Sequence, residues 1–167
     1  MVVKQPGEGK TARILIVGLG NPLLCDDAVG LRVAAAMRKH LPPDTRVDIM
    51  EDYRGGLRLM ERMIGYDCAV VIDALRIDAP PGSLHFLSVN DIPTQRSASA
   101  HDVNLPTALD FGRRAGAHLP KDEDILLIGV AAGDVETFDE VMSPAVEAAV
   151  EEVVSAVLAQ LGMLASL

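Results

Sequence analysis

Three short, uninterrupted apolar runs stand out along the chain: residues 14–17, 68–72 and 125–130. Runs of four to six apolar residues without alternation fit strands buried on both faces, as in the middle of a parallel sheet. Between them the spacing changes to three and four. Residues 28–40 place Val29, Val33, Ala36 and Met37 on one face and Arg32, Arg38 and Lys39 elsewhere, which predicts a helix stopped by Pro42-Pro43. A shorter strand is predicted over residues 46–50, and a helix over 57–64 closed by Gly65. Pro80-Pro81-Gly82 marks a turn, followed by an additional strand over 83–89 that suits a sheet edge. Residues 90–100 are polar and small and predict a loop. Residues 105–115 predict a helix with Asp102 or Asn104 as its N-cap. Ser143-Pro144 opens the last helix, with serine as cap and proline at the first helical position, and Val146, Val150, Val153, Val157, Leu161 and Leu164 form one stripe. Strands alternating with helices predict an α/β fold: a single-domain three-layer sandwich with a mixed, mostly parallel sheet of about five strands.

Composition narrows the classes. The chain has 167 residues, within the range of one domain, and 49% of them are hydrophobic, enough for a core that needs neither disulfide nor structural metal. Residues 1–12 lack an apolar stretch and read as a flexible tail rather than a signal peptide or membrane span, leaving 13–167 as the domain. Glu147, Glu151 and Glu152 interrupt the apolar C-terminal segment, so no membrane insertion is expected and the location is read as cytoplasmic. The net charge of −9 and an aromatic content of 3% exclude a general nucleic-acid surface, which needs clustered cations and stacking platforms. Two cysteines, Cys25 and Cys68, make neither a disulfide framework nor a four-thiolate zinc site.

Ligands of parallel sheets lie beyond the carboxyl ends of the strands. The first strand runs into Gly18-Leu19-Gly20-Asn21-Pro22-Leu23-Leu24-Cys25-Asp26-Asp27. The opening Gly-x-Gly is similar to a dinucleotide-binding loop, but Leu23 stands where the third glycine belongs, and two aspartates at the helix start would repel a pyrophosphate. The aspartate pair admits two readings, helix capping and ligand binding; Asp26 suits the first and Asp27 the second. Asp73 closes the second apolar run. It is either a turn aspartate bonded to local amides or, if the first and third strands are neighbours, a partner of Asp27 in one crevice. Of the four histidines, His101 follows the small residues Ser97-Ala98-Ser99-Ala100 and can approach a ligand closely. Two carboxylates and an imidazole would make an N/O site with open positions for a borderline divalent metal. Cys25 is a poor nucleophile, because the adjacent carboxylates raise its thiol pKa.

The segment Gly18-Leu19-Gly20-Asn21-Pro22-Leu23-Leu24-x-Asp26-Asp27-x-x-Gly30 resembles the opening signature of the hydrogenase maturation endopeptidases. Val71-Ile72-Asp73-Ala74 with Pro81-Gly82, Ser99-Ala100-His101-Asp102, Ile128-Gly129-Val130 and Ser143-Pro144-x-Val146 resemble that family's later motifs, in order. The resemblance implies removal of a C-terminal extension from a [NiFe] hydrogenase large-subunit precursor after nickel insertion. It implies Asp27, Asp73 and His101 as both catalytic and metal-binding residues. Asp27 stands where some members carry glutamate. The nickel would be supplied by the substrate, and the isolated protein could hold an adventitious divalent metal. Gly18, Gly20 and Gly30 would allow close approach of loop, helix and substrate; Asn21 would orient the loop or bind substrate backbone; Asp26 and Asp102 would support the ligands. Two alternatives stay open: a non-cleaving nickel sensor or large-subunit chaperone, and a nucleotide-binding α/β protein.

Overall fold

The computed structural model describes residues 12–41, 46–91 and 104–162. The apolar runs become the centre of one sheet. β1 (Ile14–Leu19), β2 (Val47–Asp52), β3 (Cys68–Leu75), β4 (Leu84–Leu87) and β5 (Ile125–Ala131) lie in the order β2-β1-β3-β5-β4. All neighbours are parallel except β4, which runs antiparallel to β5 at one edge. The three inner strands carry the continuous apolar runs, because helices cover both of their faces. The edge strands β2 and β4 are more polar and only partly buried, as a strand with one unpaired side requires.

Among the described residues four α-helices complete the sandwich: α1 (Val29–His40), α2 (Gly56–Met63), α3 (Leu105–Arg114) and α4 (Pro144–Gln160). α1 and α4 cover one face, where Val29, Val33, Met37, Val146, Val153 and Val157 meet Ile16, Val70, Ile72 and Ile128. α2 and α3 cover the other, where Leu59, Met63, Leu105 and Leu109 meet Leu15, Val17, Val71 and Leu127. The predicted stripe of the last helix is buried from Val146 to Val157 and half-buried at Leu161, while Leu164 lies outside the described residues. Among the described residues no helix is long and apolar enough to cross a membrane.

Several boundaries differ from the sequence reading, each for a tertiary reason. β1 continues through Gly18 and Leu19, because β2 supplies partners as far as Leu19↔Asp52. β3 continues through Asp73 to Leu75, paired with Gly129, Val130 and Ala131 of β5. Asp73 therefore lies inside a strand rather than just after it. A 3-10 turn, Cys25–Ala28, precedes α1. Asn104, one of the two cap candidates, caps α3: its Oδ1 accepts from Thr107 N at 3.0 Å.

The chain leaves β1 through α1 to β2 on one side, then returns through α2 on the other face to β3 on the far side of β1. The winding thus reverses between β1 and β3, and a crevice opens at their carboxyl ends. This puts the two acidic motifs at one place.

Candidate functional site

The loop after β1 is built by its own polar groups. The Asn21 side chain accepts from Leu23 N at 3.0 Å, an Asx turn, and the Asn21 carbonyl accepts from Leu24 N at 3.2 Å. Asn21 N donates to Asp27 Oδ2 at 2.8 Å, so the loop backbone holds the Asp27 carboxylate directly. Asn21 thus braces the loop through both its side chain and its backbone. Gly20 has φ +150°, and a Cβ there would lie 1.9 Å from the Asp27 carbonyl oxygen. Any side chain at Gly20 would push the turn carrying Asp27 off β1.

Asp26 and Asp27 have opposite fates. Asp26 is 0% exposed and does not cap the helix. Its carboxylate crosses to the segment after β5, where Gly133 N (2.9 Å), Asp134 N (3.0 Å), Ser143 N (2.7 Å) and Ser143 Oγ (3.0 Å) all donate to it. Ser143 accordingly gives its hydroxyl to Asp26 instead of capping α4 with it, although it occupies the N-cap position. Burial opposes ionisation of Asp26, but these donors outweigh it and hold the carboxyl below its ordinary pKa. The capping roles read from the sequence for Asp26 and Ser143 give way to a cross-link because the β5–α4 segment brings more donors than a helix start offers. Replacing Asp26 with asparagine turns an amide towards those donors. It is expected to cost about 1–3 kcal/mol, read as a lower midpoint in urea unfolding with an unchanged slope.

Asp27, by contrast, keeps an open side. Burial raises its pKa, opposed by the bond from Asn21 N. Asp73 lies on the sheet face of Ala69 and Val71 by strand alternation. One of its oxygens accepts from Ala74 N at 2.9 Å, the local amide bond of the simpler reading. That bond is not its whole environment: burial, and then the charge of Asp27, push the Asp73 carboxyl up to about 7. β1 and β3 are paired neighbours, so the condition for a shared crevice is met, and the two carboxylates interact across it. Like charges kept close in a half-buried cleft favour a cation or a shared proton. His101 and Asp102 lie outside the described residues. Among the described residues no three His, Cys, Asp or Glu side chains converge to hold a metal.

Cys25, preceding Asp26, has φ 36°, a left-handed conformation uncommon for a side-chain-bearing residue. Its Sγ donates to the Val141 carbonyl at 3.3 Å, and desolvation followed by Asp26 and Asp134 raises its pKa. The raised pKa disfavours the thiolate form. Cys68 is buried at the start of β3, its thiol pushed up to about 11 by burial, then by Asp124 and Asp67.

One feature of the rim escaped the sequence reading. Asp52, at the end of β2, is buried and accepts from Tyr53 N (2.8 Å), Arg58 Nε (3.2 Å) and Arg62 Nε (3.0 Å). Its carbonyl also accepts from Gly20 N at 3.1 Å. Asp52 thus ties α2 and the β1 loop to the sheet edge. The available signal was the Arg58/Arg62 spacing of four on a helix, which aims both at one point. A cavity of about 330 Å³ opens here, lined by Gly20, Asn21, Pro22, Leu31 and Tyr53 among others.

Comparison with known proteins identifies the family. The family model described as hydrogenase maturation protease matches residues 31–160. The hydrogenase 2 maturation protease of Escherichia coli K12 is 31% identical over 89% of this chain and 90% of its own length. The hydrogenase expression/formation protein HupD of Thiocapsa roseopersicina is 29% identical over 91% of this chain and 70% of its own. Among solved structures, the hydrogenase maturating endopeptidase HybD from Escherichia coli superposes with a TM-score of 0.74 at 30% identity, covering 90% of this chain and 93% of that one. A hydrogenase 2 maturation peptidase from a Thaumarchaeota archaeon gives 0.66 at 30% identity, covering 90% and 98%. With this ordered likeness, a switch-point crevice and a carboxylate pair inside it, the chain belongs to the hydrogenase maturation protease family and is an endopeptidase.

Proposed function

We propose that this endopeptidase removes the C-terminal extension of a [NiFe] hydrogenase large-subunit precursor after nickel insertion, and that Asp27, Asp73 and His101 recognise the nickel carried by the substrate. The observation that carries the reading is the Asp27–Asp73 pair, with Asp73 raised to about 7 at the carboxyl edge between β1 and β3. Among the described residues, burial, Asp27 and the Ala74 amide are what act on Asp73, with no cation among them, so a metal arriving with the substrate would relieve the repulsion. His101 precedes Leu105, the first residue of α3, by four positions. The last turn of α3 meets the turn Asp122–Asp124 that leads into β5, where Arg113 Nη2 donates to Asp122 Oδ1 at 2.7 Å, so its first turn faces the carboxyl edge.

In this mechanism the chain's groups act in order. Two carboxylates and one imidazole are the donor set of a first-row divalent ion with open positions. The substrate's nickel, once seated, polarises the scissile carbonyl or activates a water. Asp27 is held by Asn21 N and Asp73 by Ala74 N, each through one oxygen, and among the described residues the other oxygen of each is left for a ligand. No side-chain nucleophile takes part, in keeping with the raised thiol of Cys25. Recognition of nickel before cleavage makes the cut a check on metal loading. In nickel-free buffer the protein alone offers three ligands and is expected to bind divalent metal substoichiometrically.

The deciding experiment gives purified protein two forms of the precursor, nickel-loaded and nickel-free, and follows the mass of the large subunit. The loaded form is expected to shorten while the free form stays intact, and His101→Ala is expected to spare both. Equal cleavage of the two forms refutes nickel recognition. Binding without cleavage by the wild type would favour a chaperone role.

A further inference from the structure

The exposed apolar surface beside the site has no assigned role. Leu23 is 50% exposed, Phe138 83% and Val141 70%. They come from two segments more than a hundred residues apart, the β1–α1 loop and the β5–α4 segment. A parallel bridge between Leu24 and Asp139 makes Leu23 and Phe138 neighbours across it. Cys25 N donates to the Asp139 carbonyl at 2.7 Å, Cys25 Sγ to the Val141 carbonyl at 3.3 Å, and Arg32 Nη2 to the Glu140 carbonyl at 3.2 Å. Asp26, fully buried, locks the same two segments together through four further bonds. Contiguous exposed apolar groups on a monomer mark interaction sites. Here they are presented on backbone that is already fastened, which lowers the ordering cost of binding.

We propose that Leu23, Phe138 and Val141 form a docking surface for the large-subunit precursor, and that its complement is an apolar segment flanked by lysine or arginine. The proposal rests on the processing function given above. Two observations choose this occupant. The first is continuity with the site: Asp27 N donates to the Leu24 carbonyl at 2.8 Å, so docking at Leu23 puts the bound chain beside the Asp27–Asp73 crevice. The second is charge. Residues 132–143 contain Asp134, Glu136, Asp139 and Glu140 and no lysine or arginine; Glu136 is paired with Arg76 at 2.6 Å, so Asp134, Asp139 and Glu140 carry the negative charge here. A second copy of this chain would bring those carboxylates against their own kind. A partner with basic flanks is attracted instead, and like-charged competitors are repelled.

The test measures processing of the full-length nickel-loaded precursor by the wild type, by the double variant F138A/V141A and by Glu140→Lys. F111A serves as a control, since Phe111 is 62% exposed but lies on α3 in the opposite layer. The double variant is expected to raise KM about tenfold or more with kcat within about twofold, as loss of an interface anchor does. Glu140→Lys is expected to raise KM about threefold at low salt and to flatten the salt dependence. The control and the melting temperatures stay at wild-type values, because all these side chains are exposed. A KM within twofold of wild type for the double variant overturns the proposal, and so does a loss confined to kcat. So does a wild-type dimer in sedimentation that the double variant dissolves while its KM is unchanged. If the wild type cleaves no precursor, the processing function itself fails, and co-sedimentation decides the surface separately. Retention of the precursor by wild type but not by the double variant supports it; equal retention, or none by either, overturns it.

Discussion

Asparagine at Asp27 or at Asp73 is expected to stop precursor processing, with a fall in kcat/KM of at least about 100-fold, since even groups one step removed from a metal ligand cost 10–100-fold. The assay is large-subunit mass at fixed time with nickel-loaded precursor. Asp73→Asn should do this while making the metal-free protein more stable. An acid whose pKa rises on folding, here from an ordinary value near 3.9 to about 7, binds its proton more tightly in the native state. Its ionisation therefore destabilises the fold. The penalty begins as pH rises above the unfolded value and is complete above pH 7. Three units correspond to about 4 kcal/mol at most, and contact of this half-buried group with water reduces that to about 1–3 kcal/mol. The melting temperature of Asp73→Asn in chelator should exceed that of wild type at pH 8, with the gap closing towards pH 4. A variant that is inactive and also less stable at pH 8 would show that Asp73 serves the fold rather than the site. Stability sacrificed at one position and recovered as function is the expected signature of a binding carboxylate.

The second large effect concerns the junction between β1, β3 and α1. A methyl group on Gly30 would sit 2.2 Å from the Leu19 carbonyl oxygen and 2.5 Å from that of Ile72. Both obstacles are backbone atoms of central strands and neither can swing aside. Gly18 is the reciprocal case, its Cβ falling 2.1 Å from the Gly30 carbonyl oxygen. Gly30→Ala must move α1 away from the sheet and unpack Val29, Val33 and Met37, all fully buried. The expected cost is about 3 kcal/mol or more, at the upper end for overpacking, which corresponds to a fall in melting temperature of about 6–12 °C. Because α1 begins directly after the turn that carries Asp27, processing should fall as well. An alanine variant with wild-type stability would mean that this close approach does not exist in solution.

Much of this was legible in the linear pattern, and the reasons can be named. Residues 14–17, 68–72 and 125–130 read as central strands because burial on both faces leaves no polar position to interrupt them. Residues 83–89 read as an edge strand because His85 and Ser88 break the apolar run, and β4 does lie at the edge, trimmed to Leu84–Leu87. Asp27 separated from Asp26 as the freer carboxylate by its place in the motif. What the pattern misjudged was the work of Asp26 and Ser143. Helix starts favour both residue types as caps, and local propensity cannot reveal that a segment 107 positions away supplies better donors. Asp52 escaped for a similar reason, since its importance comes from Arg58 and Arg62 folding back from α2.

The sequence by itself determined the inventory: which runs are buried strands, where helices start and stop, and which polar residues stand at the carboxyl ends of strands. Those are short-range properties, set by side-chain period and by residues that break it. Only the tertiary structure decided that β1 and β3 are neighbours, so that Asp27 and Asp73, each bonded to a local amide, also repel each other across one crevice. It likewise decided that Asp26 is a buried fastener and that Leu23 and Phe138 share one surface. Pairings across fifty or more residues depend on strand order and on which loop reaches which, and neither is encoded in the residues nearby.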